Sequence, residues 1–250
     1  LSRRQRQMCI RDRGYTLRKD TADPYIMALL NSGKHKMKAH EIMSGRTALY
    51  TNIGFENPIT FIKELENALS IHDKQLYDTY EKSRKKIEGM FDISLEENFL
   101  SWMSGEFALT QSEPGLLGRE PELILAIRAK NIKDARKNME LLEKKIKRKT
   151  PIRIKTVNYK GFDINYMEMK GFFRLFFGGL FDKFEKPYYT YVDDYVVFSN
   201  KSASLLSFVE DYEQKNLLKD NPGFKNAYSY LKSSSTCLLY TSDAADDLIG

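Results

Sequence analysis

The stretch Tyr188–Glu213 constrains this chain most, because it reads without a gap as strand, tight turn, strand, cap and helix. Tyr189 and Tyr191, then Tyr195 and Val197, alternate as residues of half-buried strands do. Asp193-Asp194 falls between the two runs, where a hairpin needs short polar side chains. Asn200 or Ser202 is placed to cap the helix that follows, since a side-chain oxygen there can accept from its first amides. Leu205, Leu206, Phe208, Val209 and Tyr212 then recur at helical spacing.

The same grammar recurs upstream. Arg46–Phe55 alternates as a strand and ends at Asn57-Pro58, which starts a helix carrying Ile59, Ile62, Leu65 and Leu69. His72–Gly89 is a charged surface helix with a thin apolar stripe, and Ser94 with Glu97 is a capping-box pattern for a helix through Met103. Glu106–Gln111 and Leu123–Lys130 are strands around a Gly- and Pro-rich loop, Ser112–Pro121. Asn131 caps a helix whose core face is Ile132, Ala135, Met139, Leu142 and Ile146. Pro151–Asn158 and Phe162–Met169 form a hairpin over Tyr159-Lys160-Gly161, and Asn221-Pro222 starts a last helix with Phe224, Tyr228 and Leu231. Strands ending at Asn before an amphipathic helix occur three times, so repeated strand–helix units are expected. The expected class is α+β: an antiparallel, hairpin-rich sheet with helices packed mainly on one face.

The two ends stand apart. Arg3–Arg13 reads RRQRQMCIRDR and Cys237–Asp247 reads CLLYTSDAADD. Back-translated, each can be encoded by the reverse complement of the other, and the shared string resembles a sequencing adaptor. Leu1–Arg13 and Cys237–Gly250 are therefore expected to be artefactual ends of an internal fragment, packing poorly apart from Leu238-Leu239-Tyr240, which continues a strand begun at Thr236. Between them, residues 14–103 are expected to form an N-terminal strand–helix subdomain and 104–236 a second α+β domain with an aromatic insert at 171–186.

With 42% hydrophobic and 12% aromatic residues, the chain can build a core, so disorder is excluded as the default. A net charge of +6 on a well-mixed surface is weak support for nucleic-acid binding. Both cysteines, Cys9 and Cys237, lie in the suspect ends, which leaves no disulfide, thiolate metal site or cysteine nucleophile between them.

Few residues carry chemistry. His35 and His40 lie in KHKMKAH (Lys34–His40), which reads as a solvated connector, and with the distant His72 they do not make a metal-ligand spacing. Asp193 and Asp194 are neighbours on a turn and point apart, whereas acid–base work needs converging carboxylates. KKIKRK (Lys144–Lys149) could meet nucleic acid or anionic lipid, but cations in the last turns of a helix also complement its dipole, and that reading is preferred. Gly171, Gly178 and Gly179 lack the ending of a phosphate loop, and no G-x-S-x-G elbow occurs. No catalytic, cofactor or metal residue is therefore assigned. Phe173, Phe176, Phe177, Leu180, Phe181 and Phe184 share one helical face, which either docks on the sheet as core or is the candidate interaction face towards a protein or a membrane surface.

YKGF (Tyr159–Phe162), YVDDYVVFSN (Tyr191–Asn200), the SLLSFV helix and LKDNPGFKNAYSYL (Leu218–Leu231) together resemble the bacterial family catalogued as domain of unknown function 3352, over about residues 104–236. GEFAL (Gly105–Leu109) and ELILAI (Glu122–Ile127) fall where that family has paired strands. The resemblance implies an extracytoplasmic protein tethered by an N-terminal membrane segment, and no catalytic residue carries over. The expected function is a non-enzymatic, envelope-associated binding or scaffolding module. The alternatives are a hydrolase built on serine and carboxylates, and a basic-patch nucleic-acid binder.

Overall fold

The computed structural model of the chain describes residues 28, 31–115, 120–149, 156–166, 187–229 and 237–242. Among the described residues eight strands form one antiparallel sheet in the order β4-β5-β6-β7-β3-β2-β1-β8. They are β1 (Thr47–Gly54), β2 (Met103–Ser112), β3 (Glu122–Ala129), β4 (Thr156–Tyr159), β5 (Phe162–Tyr166), β6 (Tyr188–Val192), β7 (Tyr195–Ser199) and β8 (Cys237–Thr241). The helices are α1 (Pro58–His72), α2 (Lys74–Phe91), α3 (Leu95–Asn98), α4 (Ile132–Lys149), α5 (Ser202–Glu213) and α6 (Pro222–Tyr228), joined by short 3-10 turns that include Ala39–Glu41. The α+β class with an antiparallel, hairpin-rich sheet is the one the pattern implies.

Helices cover both faces of the sheet. The first face buries Phe107, Leu109, Leu125, Ile127, Val196 and Phe198 under α1, the end of α2, α3 and α4. The second face buries Tyr50, Ala108, Ile124, Ala126, Tyr195 and Val197 under the 3-10 turn, α5 and α6. Most of the helical length lies on the first face, as expected, but the second carries a layer of its own. That layer is why β6 and β7 are buried along almost their whole length rather than half-buried. Each fully covered Leu, Ile or Phe contributes on the order of 1.5–3 kcal/mol of transfer free energy.

Local chemistry sets the element ends. Asn57 accepts from the amides of Ile59 and Thr60, Asn221 from Phe224 and Asn131 from Lys133. All four of Ala135, Met139, Leu142 and Ile146 are buried, so the apolar stripe of α4 is read correctly from its spacing. Two expectations fail. Neither Asn200 nor Ser202 caps α5; its first residue is preceded by Lys201, which makes no side-chain cap bond. The capping box at Ser94 opens only a single turn, because Asn98 rather than Glu97 returns a bond to the Ser94 amide and the chain tightens into a 3-10 turn at Leu100–Trp102.

A bulge in β2 places Glu106. The β2–β3 register shifts between Met103 and Phe107, and Gly105 sits there with φ 97°. A Cβ at Gly105 would stand 2.1 Å from the Phe55 carbonyl oxygen, so only glycine fits. Its neighbour Glu106 is thereby set on the second face, on the same side as Ala108.

β1 pairs with β2 on one side and with β8 on the other. Leu1–Arg13 lies outside the described residues. At the other end the strand expected at Leu238–Tyr240 is present as part of β8, with Leu238 buried and the Tyr240 ring edge-on to Phe224 at 5.1 Å.

Candidate functional site

The second face of the sheet holds two clusters of buried charge. In the first, the Glu106 carboxylate is fully buried. Its Oε1 accepts from the Lys38 amide at 2.5 Å, the Ala39 amide at 2.7 Å and Asn52 Nδ2 at 2.9 Å. Its Oε2 accepts from the Tyr195 hydroxyl at 2.9 Å, and Arg128 Nη1 stands 3.8 Å away. Lys38 and Ala39 open the 3-10 turn, so their amides have no acceptor within it, and a carboxylate satisfies both. Burial and the nearby Glu106 push the Tyr195 phenol far above its ordinary range, and burial does the same to Tyr50, whose hydroxyl accepts from Asn52 at 2.6 Å.

The segment Lys34–His40 is a strap over this cluster and not a solvated connector. Met37 and Ala39 are buried, Tyr228 of α6 donates to the Met37 carbonyl at 3.4 Å, and the His40 ring packs 4.4 Å from that of Tyr228. His35 Nε2 and His40 Nδ1 are buried without a hydrogen-bond partner among the described residues. Burial holds both imidazoles below their ordinary pKa, against the pull of Glu106, which raises it. The alternating Lys and His residues hide the two apolar ones, Met37 and Ala39, that anchor the strap.

The second cluster joins β1, β3 and α5. Arg46 donates through Nε and Nη2 to Asp211 Oδ2 at 2.9 and 2.7 Å, and through Nη2 to Glu122 Oε2 at 2.8 Å. The Ser44 hydroxyl donates to Asp211 Oδ2 at 2.6 Å and Asn216 Nδ2 to Oδ1 at 3.0 Å. Burial works against the Arg46 charge, but its hydrogen bonds to Asp211 and Glu122 hold its pKa above the ordinary arginine value. Ser207 Oγ and Glu122 Oε1 are buried with no partner among the described residues. Ser207 Oγ and Arg46 Nη2 stand 2.7 and 2.9 Å from where a Gly115 Cβ would be, so a bare glycine backbone covers them.

The residues weighed from the sequence are not brought together. Asp193 takes the left-handed turn position with φ 49° and accepts from the Tyr212 hydroxyl at 2.8 Å, while Asp194 faces Arg128 at 4.0 Å. The two carboxylates take different partners, and the turn accounts for both. His72 ends α1, exposed and far along the chain from the strap, and no group of three metal-binding side chains occurs among the described residues. The candidate face of Phe173, Phe176, Phe177, Leu180, Phe181 and Phe184 lies outside the described residues. Sequence reasoning missed Glu106, Arg46, Glu122 and Asp211. The available signal was a charged residue inside or at the head of an otherwise apolar strand, as in GEFAL and ELILAI.

A family model described as protein of unknown function (DUF3352) matches residues 110–249, more than half of the chain. The chain belongs to the DUF3352 family. The matched span begins inside β2 and runs past β8, so the DUF3352 region includes Glu122, Tyr195 and Asp211, while Glu106 and Arg46 precede it. No curated protein and no solved structure matches the chain.

Proposed function

We propose that this DUF3352 chain is a non-enzymatic binding or scaffolding module of an envelope-associated protein. The observation that carries this reading is how the buried charges are used. Glu106 ties the Lys34–His40 strap to the sheet through two amides, an amide side chain and a phenol. Arg46, Glu122 and Asp211 tie α5 to β1 and β3. Both clusters join elements of the fold, as rigidifying networks do. The envelope placement is supported by the family resemblance. In cells carrying the full gene, it predicts recovery of the protein with the membrane fraction and its digestion by protease added outside the inner membrane; recovery in the soluble cytoplasm contradicts it.

The test of the non-enzymatic reading is a turnover screen of the intact chain on ester, peptide, phosphate and glycoside substrates. The expected result is no activity that a Glu106→Gln or Ser207→Ala substitution removes. One observation favours a second reading, a serine hydrolase: the Ser207 hydroxyl beside Arg46, buried without a partner among the described residues. Reproducible turnover lost in Ser207→Ala establishes that reading in place of the first.

A further inference from the structure

The outer side of α4 combines a run of exposed cations with an exposed leucine. Its inner stripe, Ala135, Met139, Leu142 and Ile146, is buried against the sheet. Opposite it, Lys133, Lys137, Leu141, Lys144 and Arg148 recur at i, i+4, i+8, i+11 and i+15 and are all exposed. The helix carries eight Lys or Arg against three Asp or Glu. Its neighbouring carboxylates do not neutralise the stripe: Glu143 pairs with Lys147, and among the described residues no carboxylate lies within ion-pair distance of Lys133, Lys137, Lys144 or Arg148. A solvated helix face needs no exposed leucine, yet Leu141 sits in the middle of the cations at 41% exposure.

The neighbouring helix extends the pattern. Lys145 Nζ donates to the Asp92 carbonyl at the end of α2. There Lys86 is exposed and Met90 is 48% exposed. Across the sheet, α5 carries three acidic residues and no basic one. An anionic surface would thus attract the outer stripe of α4 and repel α5.

We propose that the outer stripe of α4, with the last turn of α2, docks on an anionic lipid surface. Lys and Arg reach the headgroup phosphates while Leu141 and Met90 enter the boundary with the acyl chains. Nucleic acid offers the same phosphates but no place for the two apolar tips, and the stripe offers no aromatic ring on which a base could stack. The proposal names a partner for the interaction module above and rests on that reading.

The test is cosedimentation of the intact chain with phosphatidylcholine vesicles and with mixed phosphatidylcholine–phosphatidylglycerol vesicles. Binding is expected only to the anionic vesicles and is expected to fall as salt rises. The double substitution Lys137→Glu with Lys144→Glu should weaken it by about tenfold or more, and Leu141→Ser should weaken it while leaving the thermal unfolding midpoint unchanged. Equal binding to neutral vesicles, no binding to anionic ones, a double variant that binds as well as the parent, or tighter binding to a DNA duplex each overturns the proposal. Failure here leaves the turnover screen unaffected, so the two readings fail separately.

Discussion

The Ala39 amide donates to Glu106 Oε1 at 2.7 Å, across 67 residues of chain. That bond and its neighbour from Lys38 fix the strap to the second face at a point where neither amide has an acceptor within its own 3-10 turn. A fully buried carboxylate thereby replaces water for four donors at once.

Removing the acceptor should therefore be severe. Glu106→Ala leaves two amides, the Asn52 side chain and the Tyr195 hydroxyl without it, and is expected to cost about 3–5 kcal/mol, the scale of a broken buried ionic network. Glu106→Gln keeps one acceptor oxygen and should cost less. Urea denaturation of the three proteins measures the order; a Glu106→Ala protein within about 1 kcal/mol of the parent contradicts it.

Arg46 faces two buried carboxylates, so its loss should also be costly. Arg46→Ala is expected to destabilise by about 3 kcal/mol, because Asp211 and Glu122 are left buried without their cation. Arg46→Lys should recover only part of this, since an ammonium cannot copy the planar fork that meets both partners. Asp211→Asn in the Arg46→Ala background should be less damaging than either change alone suggests, which a double-mutant cycle reads directly.

The strap also sets a pH dependence. His35 and His40 are held below their ordinary value of 6.5 by burial, so the folded state favours the neutral rings. Their contribution is present above the unfolded pKa. As the pH falls below 6.5, the unfolded chain takes up protons first and stability declines until the depressed folded values are passed. The thermal midpoint should drop over that window, and replacing both histidines by Gln should flatten the drop. An unchanged slope in the double variant contradicts this origin.

Two glycines with positive φ separate close approach from turn geometry. Gly105→Ala meets the Phe55 carbonyl and should cost about 4 kcal/mol or prevent folding. Gly161→Ala, in the β4–β5 turn at φ 86°, meets nothing within 4 Å and should cost only about 1–2 kcal/mol. Soluble yield and urea midpoints of the pair check the difference.

Much of the fold is legible in the sequence, and the reasons are local. The strand and helix identities at Tyr188–Glu213, the asparagine caps at Asn57, Asn131 and Asn221 and the core face of α4 follow from spacing and side-chain chemistry within a few residues. The second helical layer is not legible, because it depends on which side of the sheet α5 and α6 reach. The strap is hidden for the same reason: Met37 and Ala39 look isolated among charges until Tyr228 and Glu106 meet them. Glu106 is visible only as an oddity inside an apolar strand, since its partners come from three separate segments. The candidate lipid-facing stripe is half legible. The basic tract at its end is plain, but that Lys133, Lys137 and Leu141 stay uncovered requires the packing of α4.

Hydrogen exchange at the Lys38 and Ala39 amides tests most directly whether Glu106 is a structural anchor of the strap. In the intact chain both amides should exchange as slowly as interior amides of β2, and in a Glu106→Ala protein that still folds at least about tenfold faster while β2 stays protected. Exchange in the parent at the rate of an open chain, or equal protection with and without the carboxylate, contradicts the anchor and the assignment of this buried charge to the fold.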